Sequence, residues 1–336
     1  MKNHKKTMPG FFTGRVLKAA LLPVFFALVL FSGPGAAERV IIYGVKGPSG
    51  LGMIRLFEHP PTAPGFSVEV EVLAQADLVA ARFISGGAKM GMLPPNLAAK
   101  IASSGKRIQV AAVTGTGMLS LLSSDPSVRR IEDLRGKTVE MAGQGATPDY
   151  VFRKILLSKG INPDGDLRLG YSLAYPEIAR MLAAGRISLA LLPEPFATMA
   201  REQRPGLAVI GDIQGEWAAL NGAGLLSAPG RNYPMTVFVV DADFAASRPL
   251  LLRAVLSGLE ESAEWVKANP EEAGLLAEKH GLGLSARIAA AAIPRSGYVY
   301  IPAREARGDL EALYRAFLEL SPASIGGFLP PDDFYL

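Results

Sequence analysis

The chain has 336 residues, 49% of them hydrophobic, with a mean hydropathy of +0.23, enough to bury one large core or two medium ones. It carries 35 Lys and Arg against 31 Asp and Glu, a formal net charge of +4, and no cysteine. The missing thiols exclude a disulfide framework, cysteine nucleophiles, zinc–cysteine sites and a lipid-accepting lipobox cysteine.

The first segment stands apart from the rest. Lys2, Lys5, Lys6, Arg15 and Lys18 precede the apolar run Ala19 to Phe31 and the small residues Gly33 to Ala37, the layout of a cleavable signal peptide over residues 1–37. The run falls short of the ~20 residues that a membrane span needs, so a retained anchor is the weaker alternative. Removing the segment leaves 30 basic residues against 31 acidic, a net charge of −1. The sequence pI of 9.2 therefore belongs to the leader, and no nucleic-acid partner is expected.

From Arg39 onward short apolar strands alternate with helical stretches, which predicts an α/β fold with largely parallel sheets. The expected strands are Val40 to Tyr43, Ser67 to Val72, Met90 to Leu93, Ile108 to Val113, Thr138 to Met141, Leu167 to Tyr171, Ile187 to Leu192, Leu207 to Ile210 and Met235 to Val240. An internal repeat organises them. Displaced by about 98 residues, Gly47-Pro48-Ser49-Gly50 through Arg55 lies over Gly145-Ala146-Thr147-Pro148 through Arg153, and Met92-Leu93-Pro94 lies over Leu191-Leu192-Pro193. Two similar lobes follow, with crossings near Ser123 to Ile131 and Leu226 to Tyr233, where Asp125-Pro126 and Pro229-Gly230 supply breakers.

In such folds ligands sit at the carboxyl ends of strands. The first lobe offers Pro48, Ser49 and Gly50 at a helix start, where free backbone N–H groups can hold ligand oxygens; a plain Ser N-cap is the alternative. The second offers Gly145, Ala146 and Thr147, with Thr147 as the cap and Pro148 at the first helical position. Asn96 and Glu194, after the two Leu-Pro turns, are expected to meet a polar or cationic group, or else to serve as an N-cap and a solvated side chain. Thr114 and Thr116 present hydroxyls, or form an ordinary loop before the crossing; Tyr171 and Tyr175 can stack on a flat ligand, or Tyr175 can staple a helix start. Of the histidines, His4 lies in the leader and His59 and His280 lie in a Pro-rich loop and near a helix end, and no catalytic triad, paired-carboxylate, metal or phosphate-loop motif assembles.

These motifs together resemble the nitrate/sulfonate/taurine and hydroxymethylpyrimidine substrate-binding family of ABC importers. The resemblance spans about Arg39 to Leu336 and is carried by Gly136-Lys137-Thr138-Val139, Gly145 to Tyr150, Ala184-Gly185-Arg186-Ile187 and Pro193-Glu194-Pro195-Phe196-Ala197. It implies a type II periplasmic binding protein fold: two α/β lobes with mixed, largely parallel sheets around a central cleft, joined by a two-crossover hinge. Lobe 1 would be residues 38–125 plus 230–336 and lobe 2 residues 126–229. It further implies a monomer without metal or cofactor that captures one solute in the periplasm and delivers it to an ABC importer permease. The implied solute is a small polar molecule, a sulfonate, nitrate, a pyrimidine or a related compound: two helix N-termini suit an anion and Glu194 opposes one close by, whereas Tyr171, Tyr175 and Asn96 suit a pyrimidine. The alternative is an enzyme on the same fold, similar to the futalosine-route enzymes of menaquinone synthesis.

Overall fold

The computed structural model describes residues 37–220 and 232–336. The expected leader and the Pro229-Gly230 breaker lie outside them. In chain order, β1 (Glu38–Val45), α1 (Pro48–Gly52), β2 (Phe66–Leu73), α2 (Ala76–Ser85), β3 (Met90–Leu93), α3 (Pro95–Ser103) and β4 (Ile108–Thr116) build one half. Then come β5 (Leu119–Ser123), β6 (Thr138–Glu140), α4 (Thr147–Ser158), β7 (Arg168–Gly170), α5 (Tyr175–Ala183), β8 (Leu189–Pro193), α6 (Phe196–Gln203), β9 (Ala208–Val209) and α7 (Ile213–Leu220). The chain closes with β10 (Pro234–Asp241), α8 (Ala242–Ser247), α9 (Pro249–Ala268), α10 (Pro270–Lys279), α11 (Ala286–Ala292), β11 (Tyr298–Pro302) and α12 (Arg307–Leu320).

The first sheet runs β11-β4-β10-β3-β1-β2 and the second β7-β6-β8-β5-β9. Parallel pairs join β1 with β2 and β3, and likewise β6 with β7 and β8. One antiparallel strand, β10 or β5, then lies beside β3 or β8. The repeat read from the sequence is thus a repeat of topology, β1-β2-β3-β4 answering to β6-β7-β8-β9. In each sheet the antiparallel strand is the one that brings the chain in from the other.

Period-two burial shows why these strands form. In β8, Leu189 and Leu191 enter one core while Ala190 and Leu192 enter another; in β10, Val237 and Val239 face one side, and Phe238 and Val240 the other. Both faces are buried, as parallel sheets covered by helices require. The largest core is continuous across the two sheets, joining Val113, Leu121, Leu191 and Val237 with Tyr314 and Phe317 of α12.

Two strands were not expected. Leu119 to Ser123 is β5 of the second sheet, and Tyr298 to Pro302 is β11 of the first. The sheet change therefore lies between Thr116 and Leu119, ahead of the boundary expected at residue 125. Asp125 itself sits with the second sheet, its carboxylate 2.8 Å from Lys137 Nζ and held at a pKa of about 2 by Lys137 and Ser127. At the change, Gly117 and Met118 both take positive φ, 60° and 76°, and Met118 is the one non-glycine described that does so. Tyr233 clamps the two passages together: its carbonyl accepts from Gly117 N–H, and its hydroxyl accepts from Leu119 N–H and donates to Gln214 Oε1.

Gly297 holds β11 against this crossing. Its carbonyl accepts from Thr116 N–H, its φ is +57°, and a Cβ there would stand 1.9 Å from the Thr116 carbonyl oxygen. Gly297→Ala is therefore expected to cost about 2 kcal/mol or more, since backbone must move. Urea unfolding of the variant checks this, and an unchanged midpoint would contradict it.

Candidate functional site

The carboxyl ends of β1, β3, β6 and β8 meet across the gap between the sheets. Asn96 Nδ2, in the first turn of α3, donates to the Gly145 carbonyl after β6 at 3.3 Å. Glu194 N–H, after β8, donates to the Met118 carbonyl at 2.9 Å. Gly47, after β1, faces Phe196: a Cβ on it would lie 3.8 Å from that ring. Phe196 stacks on Tyr175 at 5.8 Å, and Tyr175 donates to the Ala142 carbonyl at 2.9 Å. Farther out, Arg287 pairs with Glu202 and Lys154 with Glu319, tying α11 to α6 and α12 to α4.

A cavity of ≈ 10 Å³, about what one water needs, remains on the first-sheet side. Pro48, Ser49 and Thr114 line it with Met118, Thr236 and Tyr298. The contacts of Asn96 with Gly145 and of Gly47 with Phe196 close the gap at those points.

The expected site residues divide. Ser49 does not cap α1, whose N-cap is Gly47; its hydroxyl donates to the Val45 carbonyl and accepts from Val45 N–H, closing the turn on β1. Gly50 is buried under Val45, Val72 and Leu282, a close approach that only a small residue allows. Thr114 and Thr116 belong to β4 rather than to a loop; the Thr114 hydroxyl points at Met92 Sδ, 3.4 Å away.

In the second half Ala146, not Thr147, is the N-cap of α4. Thr147 is 1% exposed, and its hydroxyl has no hydrogen-bond partner. The helix start is held instead by Asp149, which accepts from Gly145 N–H at 2.8 Å, Arg153 Nε at 2.7 Å and the Tyr171 hydroxyl at 2.6 Å. Tyr171 is thereby spent on this network, which continues outward through Arg153 to Asp164. It does not join the residues that meet across the gap.

Asn96 and Glu194 are buried, at 6% and 1% exposure; Asn96 caps no helix, and Glu194 is not a solvated side chain. Asn96 Oδ1 and Glu194 Oε1 meet no donor at hydrogen-bonding geometry. Glu194 Oε2 accepts from Thr198 N–H at 3.0 Å. Burial raises the Glu194 pKa above the ordinary carboxylate value, with Thr198, Arg295 and Arg201 opposing it. Burial also raises Tyr298, beside the same carboxylate, whose charge adds to the shift.

Sequence reasoning missed Met118, Thr236 and Tyr298. Tyr298 alternates with Val299 and Tyr300, a strand signal that was available; Met118 and Thr236 carry none. His280 lies outside the gap, with Glu58 and under the Phe57 ring.

The sequence matches the NMT1-like family over residues 79–279, more than half of the chain. The chain belongs to the NMT1-like family. Solved structures agree with this NMT1-like assignment in fold. An ABC transporter from Parabacteroides distasonis superposes with a TM-score of 0.74 at 24% identity, covering 89% of this chain and 99% of that one. The periplasmic aliphatic sulphonate binding protein SsuA from Escherichia coli gives 0.68 at 16% identity, over 88% and 93%. The periplasmic nitrate-binding protein NrtA from Synechocystis gives 0.58 at 14% identity, over 75% and 69%. A comparison with curated proteins finds no match. The NMT1-like chain thus has the periplasmic binding protein fold expected from its motifs. Among its described residues no helix is long and apolar enough to cross a membrane.

Two predictions follow from the carboxylates. Because the fold raises the Glu194 pKa, the protonated form is favoured: its contribution is complete below pH about 4.5 and is lost as pH rises through the folded value. Glu194→Gln should therefore melt above the parent at pH 8 and converge with it near pH 4; each kcal/mol moves Tm by about 2–4 °C in a chain of roughly this size. A gap that widens toward acid would contradict the assignment. Asp149→Ala removes three hydrogen bonds and strands Gly145 N–H and part of Arg153, at a cost of about 3 kcal/mol in urea unfolding; a loss below about 1 kcal/mol would show the network to be dispensable.

Proposed function

We propose that this protein is an exported solute-binding protein: it captures a small polar molecule between two hinged lobes and presents the closed form to an ABC importer permease. The observation that carries the reading is the set of buried polar atoms at the strand ends. Asn96 Oδ1 in the first half and Thr147 Oγ1 and Glu194 Oε1 in the second have no partner of their own. An unpartnered buried polar group costs about 1–3 kcal/mol, and a bound solute that meets groups from both halves removes that cost only in the closed state. That differential is what ligand-driven closure requires.

The lobes would divide at the sheet change, with residues 38–116 and 234–336 around the first sheet and 119–220 around the second. Gly117-Met118 and Asn232-Tyr233 would be the hinge passages. The cavity beside Ser49 and Tyr298 holds ≈ 10 Å³, so a solute larger than water would enter as the lobes part. Export rests on the basic, apolar and small-residue order of residues 1–37. Sulphonate- and nitrate-binding proteins among the structural relatives support transport as the setting. A futalosine-type enzyme gains no specific support from the strand ends, where the polar groups are amide, hydroxyl and carboxyl and the histidines lie elsewhere.

Thr147→Val separates function from stability. Replacing an unpartnered buried hydroxyl by a methyl of like shape should leave the solute-free protein as stable or about 1 kcal/mol more so, while weakening solute binding. The parent and variant are screened by thermal shift against sulfonates, nitrate, small carboxylates, pyrimidines, thiamine precursors and flavins. A ligand at 100 times its Kd should stabilise the parent by about 2.7 kcal/mol. No stabilisation by any solute class, or a solute held equally well by Thr147→Val, would count against the site as drawn.

A further inference from the structure

The four strand ends differ from an anion site in what their backbone offers. A helix start holds an oxyanion through free N–H groups. Here each turn spends one of those positions on proline: Pro48 opens α1, Pro94 and Pro95 open α3, Pro148 is the second residue of α4, and Pro195 precedes α6. Proline has no N–H to give.

Three of the donors near these turns are taken. Gly145 N–H is held by Asp149, Ala146 N–H by the Gly143 carbonyl, and Thr198 N–H by Glu194. No lysine or arginine is among the buried side chains described, and none lines the cavity. Arg153, which approaches the second half, is committed to Asp149 and Asp164.

Among the unpartnered atoms, Asn96 Oδ1 and Glu194 Oε1 call for donors, while the hydroxyls of Thr147, Thr198 and Tyr298 can donate or accept. Asn96 Nδ2 faces the Gly145 carbonyl, which fixes Oδ1 as the open acceptor. Glu194 Oε1 is a second acceptor, and parting the halves frees the Gly145 carbonyl as a third. The Thr147 hydroxyl accepts or donates as needed. One of these groups comes from the first half and three from the second.

We propose that the cleft selects a solute that donates hydrogen bonds, an uncharged amine- or amide-bearing molecule or a cation, and turns away oxyanions such as sulfonate and nitrate. This rests on the solute-binding reading above and parts company with the ligands named for two of its structural relatives. An oxyanion would face Glu194 and Asn96 Oδ1, with a proline at each helix start in place of one N–H. A donor-bearing solute instead completes the acceptors that the fold buries.

Isothermal titration calorimetry on the purified protein at pH 7.5 tests this with two sets of probes. One is nitrate, sulfate, taurine and ethanesulfonate; the other is cytosine, nicotinamide, guanidinium and putrescine. Saturable binding is expected in the second set alone, weakened at least tenfold by Glu194→Gln, a variant whose cooperative melting is checked separately. Saturable binding of an oxyanion, or tighter binding by Glu194→Gln, overturns the selectivity and leaves the solute-binding reading standing. Donor-set binding that Glu194→Gln does not change overturns the role of this carboxylate in selection. Binding in neither set by a folded protein overturns the solute-binding reading as well.

Discussion

The structure depends on one constraint: parallel sheets deliver the ends of their strands, with their turns and helix starts, to a single edge. Two such sheets facing each other concentrate backbone and side-chain polar groups where no regular hydrogen bonding can satisfy them. Asn96 donating to the Gly145 carbonyl is the direct expression of this, one half supplying a donor for the other. Thr147 Oγ1, Asn96 Oδ1 and Glu194 Oε1 are among the atoms left without a partner, with the Thr198 and Tyr298 hydroxyls beside Glu194. The rest of the molecule, from the covered sheet faces to the clamp of Tyr233 and Gln214, holds these groups in place.

Much of the fold was legible because it is written in a period of two and in punctuation. Nine strands were placed within a few residues, since Val, Ile and Leu runs bounded by Gly and Pro have few other solutions. The repeat was legible for the same reason: a turn from strand end to helix needs glycine and proline at fixed offsets, and both halves kept them. β5 escaped because Leu119 to Ser123 follows Thr114 to Gly117, which reads as a loop, and only tertiary pairing with β8 and β9 makes it a strand. β11 escaped because five residues ending in proline are a weak local signal against the helices around them.

The site was legible by position and less so by role. Asn96, Thr147 and Glu194 were picked out as strand-end residues, and the structure buries all three. Their bonding was not readable, because it depends on what lies across the gap. Ser49 closes its own turn, and Ala146 takes the cap expected of Thr147, so two residues of one type at equivalent places end in different states. Tyr171 illustrates the converse: a tyrosine at a strand end looked free to stack, but Asp149, four residues into the turn, captures its hydroxyl. Side chains that lock the turns and side chains that face across them have the same composition, and only geometry separates them.

The central claim is that the two halves part and close around a solute. Because the chain has no cysteine, labels can be attached at the exposed positions Gln203→Cys on α6, which packs with the second sheet, and Glu278→Cys on α10, which packs with the first half. Pulsed electron spin resonance distances between them give the direct answer. The account predicts a longer distance, or two populations, without solute, collapsing to the shut distance when a binding solute saturates the protein. A single distance equal to that of the shut structure under both conditions would contradict it.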